Sequence, residues 1–266
     1  MNTHHLVKFM IVAAVTLVMS ACVSSPTRHH IDQAARPHLE TVDTYLVVQQ
    51  DNILAGKLWI DVSGGQQLGF LPILTIRAID QSTEEKSAAY SESLIAAIRD
   101  AIKDYDFAEV LTNDLDNSLG EIEWLNTADV VLLRDREDDL ILKKHKTACA
   151  SATLFIEVQY VISPDLNHVS ASVEATMFPK TKALEGYKAK VDGNENPVDA
   201  TDNLYSSRFR VNIPLKEEGL VKDRVNGLIR NSGETVKSAL TQCATMVAEY
   251  LGQDIERDET ADNNQQ

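Results

Sequence analysis

Two stretches of this chain fix most of what it can become. From 152 to 162, Ala152, Leu154, Ile156, Val158, Tyr160 and Ile162 alternate with Thr153, Phe155, Glu157, Gln159 and Val161. From 168 to 178, Val169, Ala171, Val173, Ala175 and Met177 alternate with His168, Ser170, Ser172, Glu174 and Thr176. Successive strand side chains point to opposite faces, so a period of two with one polar set predicts a half-buried antiparallel pair. Ser163-Pro164-Asp165-Leu166-Asn167 supplies turn residues between them. A third strand is predicted over 205–213, where Tyr205, Phe209, Val211 and Ile213 make most of one face. The polar stretch 179–203, with Gly186, Gly193 and Pro197, reads as a long loop.

Ahead of this sheet the patterns are mixed. Thr44–Gln49 and Leu58–Val62 have strand composition. Leu68–Ile79 is apolar except for Gly69, Pro72, Thr75 and Arg77, and reads as a buried helix or a segment meeting a membrane or partner. Ser82-Thr83-Glu84-Glu85 forms a capping box ahead of a helix carrying Tyr90, Leu94, Ile98, Ala101 and Ile102. A second helix is predicted with Phe107, Val110, Leu111 and Leu115 on one face, ending near Asn117–Gly120. Glu121–Asn126 is a connection. Asp129–Leu133 reads as a strand, Arg134–Asp139 as a charged turn, and Leu140–Lys144 as a strand pairing back.

After Pro214, residues 216–230 read helical and Asn231-Ser232-Gly233 breaks the pattern. Val236, Leu240, Cys243, Val247, Tyr250 and Leu251 then form a helical stripe ending at Gly252, and 253–266 reads as a disordered acidic tail. Strands and helices are partly segregated. The expected fold is therefore α+β: one domain over 42–252, with helices on an antiparallel sheet that includes a long hairpin.

The N-terminus carries an address. Lys8 precedes an apolar run, Phe9–Val18, interrupted only by Thr16. A bilayer span needs roughly 20 apolar residues, so a run this short behind a cation reads as a secretory signal. It ends in Met19-Ser20-Ala21-Cys22, which resembles the lipobox of bacterial lipoproteins, with Met19 in place of the usual Leu. The resemblance implies a signal peptide over 1–21 and a lipid on Cys22. It also implies outer-membrane retention facing the periplasm, because the residue after the cysteine is Val23 rather than Asp. Residues 22–41 hold two prolines and three histidines, His29, His30 and His38, and read as a flexible tether rather than a metal site.

The chain has 25 Lys and Arg against 40 Asp and Glu, a net charge of −15. Loss of Lys8 with the signal gives 24 − 40 = −16 for the remaining 245 residues. That balance argues against nucleic acid and against anionic headgroups as electrostatic partners. With Cys22 lipidated, Cys149 and Cys243 remain, and in an oxidising compartment they are a candidate disulfide.

Chemical motifs are sparse. Gly64-Gly65-Gln66-Gln67-Leu68-Gly69-Phe70 lacks the spacing and the Lys of a phosphate loop. Asp114, Asp116 and Ser118 mimic the start of a calcium loop, but Leu119 stands where Gly is needed and Leu125 where Glu is needed. Asp192, Asn194 and Asn196 fail likewise at Pro197. Ser163, Asp165, His168 and Ser170 gather nucleophile, acid and base on a hairpin tip, too wet for a triad. Lys143, Lys144, His145 and Lys146 are the one basic cluster.

In element order the chain looks like periplasmic lipoproteins with a TolB-N-terminal-like domain, a group that includes activators of cell-wall synthases. Through Asp104-Tyr105-Asp106-Phe107 and Leu154–Pro164 it also resembles uncharacterised proteobacterial lipoproteins. Neither resemblance implies a catalytic residue or a cofactor. The expectation is a non-enzymatic, lipid-anchored envelope protein binding a protein partner, with Glu157, Gln159 and Glu174 facing water or that partner. An envelope hydrolase without a recognisable motif and a carrier of an apolar ligand are the alternatives.

Overall fold

The computed structural model describes residues 29–55, 94–134, 138–188, 203–217 and 219–257. The elements expected at 58–62, 68–79 and 82–85, the Asp192–Asn196 stretch and Cys22 lie outside the described residues. In chain order the elements are β1 (Val42–Val48), β2 (Leu54–Ala55), α1 (94–101), α2 (Phe107–Gly120), β3 (Val131–Leu133), α3 (Asp138–Thr147), β4 (Ala152–Ile162), β5 (His168–Pro179), β6 (Tyr205–Pro214), α4 (Val221–Leu228) and α5 (Arg230–Glu256). Short 3-10 turns lie at Arg36–His38 and Lys182–Tyr187.

The α+β expectation holds. One sheet runs β3-β1-β4-β5-β6, with β2 also on β4. The long hairpin is in the expected register, with Val158 opposite Val173 and Ile162 opposite Val169. β6 continues it antiparallel, with Phe209 opposite Val173. Leu154, Ile156, Val158, Tyr160 and their partners on β5 and β6 form the inner face, beneath α1, α2, α4 and α5.

The sheet is mixed, because β1 runs parallel to both β3 and β4. This overturns the expected hairpin at 129–144. A short turn can join only antiparallel strands, whereas parallel strands need a crossover of a dozen or more residues. The chain between β3 and β4 must return to the starting end of the sheet, and it does so as α3. β1 to β3 steps one way along the sheet and β3 to β4 steps the other. Right-handed crossovers of opposite step place their helices on opposite faces. Among the described helices α3 accordingly is the one on the outer face, where Ile141 packs with Phe178 against Tyr45, Val47, Leu133 and Phe155.

The expected tether is ordered from His29 onward. Ile31, Ala35 and Leu39 are buried in the main core, and His29 bridges Ser206 on β6. The Arg36 guanidinium donates to the carbonyls of Glu256 and Arg257, both at 3.1 Å. A cation there satisfies carbonyls that a helix end leaves without partners. α5 correspondingly runs four residues beyond Gly252, so the tail expected from 253 is helical to Glu256. Asp254 is buried and accepts the Tyr205 hydroxyl at 2.8 Å. Gly252 does not end the helix; it lets α5 approach Ser118 of α2, whose Oγ donates to Ala248 O at 2.8 Å.

Candidate functional site

α2, which leads into β3, packs on the inner face and α3, which follows β3, on the outer face, so the C-terminal ends of β1 and β3 lie where the described helices change sides. In open α/β sheets such a point is where ligands sit, and here the analogy only directs attention to the residues. Asp106 caps α2, accepting from the amide of Glu109 at 3.1 Å, and Arg134, just after β3, pairs with its carboxylate at 2.5 Å. Gln50 continues β1 with its side chain. Its amide donates to Tyr160 O at 2.5 Å and accepts from Tyr160 N at 3.2 Å.

Each residue of Asp104-Tyr105-Asp106-Phe107 has a structural task at this junction. Asp104 pairs with Lys237 of α5 at 2.6 Å, and the bond from Lys237 holds its carboxyl below the usual range. The Tyr105 hydroxyl bonds Thr241 Oγ1 at 2.9 Å. Phe107 is buried, with its ring centroid 4.3 Å from that of Tyr160. The stretch ties α1 and α2 to α5 and β4.

The outer sheet face is a second candidate. α3 covers the end carrying Phe155 and Phe178. Toward the other end lie three cross-strand rows: Glu157, Glu174 and Arg208; Gln159, Ser172 and Arg210; Val161, the buried Ser170, and Asn212. Glu174 and Arg208 pair at 2.8 Å. Arg210 Nε donates to Ser172 Oγ at 3.1 Å, and burial pulls its guanidinium pKa down. Ser170 donates to Asn212 Oδ1 at 2.7 Å. Gln159 is exposed and Glu157 and Glu174 are half-buried. Glu157 stands directly opposite Glu174, whose charge Arg208 offsets. These rows are therefore polar and tied together by side-chain bonds across the strands.

The suspected clusters separate. Ser163 Oγ accepts the amides of Asn167 and His168 at 3.0 and 3.1 Å, so this hydroxyl closes the turn. Burial raises the Asp165 carboxyl, but bonds from Ser163 and Asn167 outweigh it and hold the pKa low. Arg224 donates to the Asp165 carbonyl at 2.7 Å. Leu166, at φ 57, makes the turn's tight bend. Ser170 bonds across to β6 instead. Asp114 accepts from Thr245, Asp116 from the Val130 amide, and Ser118 reaches α5, so they fasten α2 to three places rather than converge. Among the described residues no group of three or more His, Cys, Asp or Glu is placed to hold a metal ion.

The disulfide expectation is overturned: Cys149 and Cys243 are free, the first exposed and the second buried. Cys149 precedes Ala152 at one end of β4. Cys243 lies against Ala171, which is opposite Tyr160. Eight residues of strand at about 3.3 Å each put roughly 26 Å between these levels, far beyond bridging reach. The helical stripe did turn Cys243 to the sheet, but onto the wrong end of it.

Burial pushes the Cys243 thiol up to about 12, from an ordinary value of 9.0. Burial, followed by the charge of Asp106, pushes the Tyr160 phenol to about 12 from 10.0. Folded chains therefore keep these protons where unfolded chains release them. Their contribution to stability is complete below about pH 9 and is lost as the pH rises toward about 12. The urea midpoint should fall steadily between about pH 9 and 11, and Cys243→Ala should flatten that fall. An unchanged slope in the variant would refute the assignment.

No protein-family model matches this sequence, and no curated protein matches it. Among solved structures, a point variant of the PelC dodecamer from Paraburkholderia phytofirmans aligns at 10% identity over 84% of this chain and 94% of that one, with a TM-score of 0.26. An uncharacterized protein aligns at 9% identity over 79% and 89%, TM-score 0.26. A Xanthomonas campestris protein of the DUF330 family aligns at 12% identity over 91% and 97%, TM-score 0.25. At these scores the likenesses carry no argument about this chain.

Proposed function

We propose that this chain is a non-enzymatic, lipid-anchored protein of the bacterial envelope that holds a protein partner on the polar half of its outer sheet face. The observation that carries the partner reading is the set of rows Glu157–Glu174–Arg208 and Gln159–Ser172–Arg210. They set ordered charged and polar groups side by side on one face, with Glu174 and Arg208 paired across strands. The anchor reading rests on Ser20-Ala21-Cys22, and retention at the outer membrane, facing the periplasm, rests on Val23.

The two parts are compatible in space. His29 meets β6 at Ser206, near the end of the sheet that α3 covers. The polar rows lie toward the opposite end, beyond His29's bridge to Ser206. Exchanging the ion pair, Glu174→Arg with Arg208→Glu, keeps a cross-strand attraction and inverts the surface. Crosslinked envelopes should yield a stoichiometric protein partner with the parent chain and lose it with the exchanged chain, while the thermal midpoint stays within a few degrees. Retention of the same partner by a folded exchanged chain would overturn the partner reading.

A further inference from the structure

We propose that the lysine-bearing corner formed by α3 and the end of β5 docks on the anionic phospholipid surface to which the chain is anchored. The inference rests on the reading of Cys22 as lipidated. Seven chain steps separate Cys22 from His29, which already bridges β6. Fully extended they span at most about 25 Å. The fold is thus held near the bilayer by one particular end.

That end carries the cations. Lys143, Lys144 and Lys146 lie in the last turns of α3, and Lys180 and Lys182 follow β5. The amide of Lys180 donates to Ser151 O at 2.8 Å, placing it beside the chain that leaves α3. Lys143, Lys146 and Lys182 are exposed, while Lys144 lies over the Tyr45 ring at 5.7 Å. Among the described residues Glu40, Asp43 and Glu185 are neighbouring carboxylates, and Asp138 and Asp139 open α3 at its far end, about 9 Å along the axis from Lys144. Phe155, Thr176 and Ser206 are consecutive cross-strand partners, and His29 bridges Ser206. At about 4.8 Å per spacing, the anchored entry lies roughly 14 Å across the sheet from the strand beneath α3.

Net charge alone argues the opposite, since the chain is strongly acidic. Charges beyond about 10 Å are screened at ordinary ionic strength, however, so the local patch decides. The anchor also removes the need for high affinity, because it holds this corner at high effective concentration near the surface.

The exposed Cys149 lies beside these lysines and reports on them. Cys243 is buried, and a lipid would block Cys22. The mature protein, labelled at Cys149 with an environment-sensitive fluorophore, would be reconstituted into vesicles of phosphatidylcholine alone or with an equal amount of phosphatidylglycerol. Both would carry a headgroup nitroxide quencher. Quenching should be stronger in the anionic vesicles and weaken with added salt. The double variant K143E/K146E should lower the docked fraction about tenfold or more. Equal quenching in both vesicles, or quenching untouched by the double variant, would overturn the docking. Mass spectrometry of the N-terminus separates the failures. An unmodified Cys22 removes the anchor and the docking together, whereas a lipidated Cys22 with charge-independent quenching removes the docking alone.

Discussion

Replacing Phe107 by Ala should lower the unfolding free energy by about 3–5 kcal/mol, the range for a buried aromatic truncated in a close-packed core. Phe107 is 1% exposed and opens α2 directly after its Asp106 cap. Its ring meets Tyr160, the inner-face residue whose backbone Gln50 clasps. A cavity here has helix backbone on one side and sheet on the other, neither of which can collapse to fill it. Domains are stable by only about 5–15 kcal/mol, so this one change takes a large share. Phe107→Leu keeps most of the volume and should cost only about 1–2 kcal/mol, chiefly the lost ring contact. Urea unfolding of the two variants measures both. Equal, small losses would mean that the ring does not hold α2 to the sheet.

What the sequence exposed and what it concealed divides along similar lines. The hairpin, β6, α2 and the α5 stripe were legible because each carries its own period and buries one face. The break at Asn231-Ser232-Gly233 was legible from composition. Chain direction was not. β1 has buried side chains on both faces, and its lack of alternation is a signal for a central, parallel strand that was available in Tyr45-Leu46-Val47-Val48. β3 has only three residues, and nothing local says which way its neighbour runs. α3 follows from that parallel pairing rather than from its own pattern. The ordered stretch from His29 to Thr41 hides among histidines and a proline; its trace is Ile31, Ala35 and Leu39, spaced by four. The polar outer rows were visible as alternation, but their pairing into Glu157–Glu174–Arg208 needed the register.

Gly233 carries the sharpest remaining prediction. It has φ +75, following Asn231 at 49 and Ser232 at 58, so three successive residues lie in the left-handed region. A side chain there costs about 1–2 kcal/mol in backbone strain, and more when β-branched. Space is shorter still. A Cβ at 233 would lie 2.5 Å from Ile102 Cγ2 and 3.3 Å from Ala101 O. The second contact is backbone, so α1 and the turn after it must move rather than one side chain rotate. Strain and overpacking together predict a loss of about 3–5 kcal/mol for Gly233→Val and about 2–4 for Gly233→Ala. Asn adopts left-handed conformations readily, so it separates the two causes. If strain dominated, Gly233→Asn would be mild. The Cβ contact predicts instead that Asn is about as harmful as Ala. Ile102→Ala removes the Cγ2 that the new Cβ meets. In that background Gly233→Ala should cost at least about 1 kcal/mol less than in the parent, as expected for touching sites in a double-mutant cycle. Additive losses would show that the close approach of α1 to this turn is not what requires glycine.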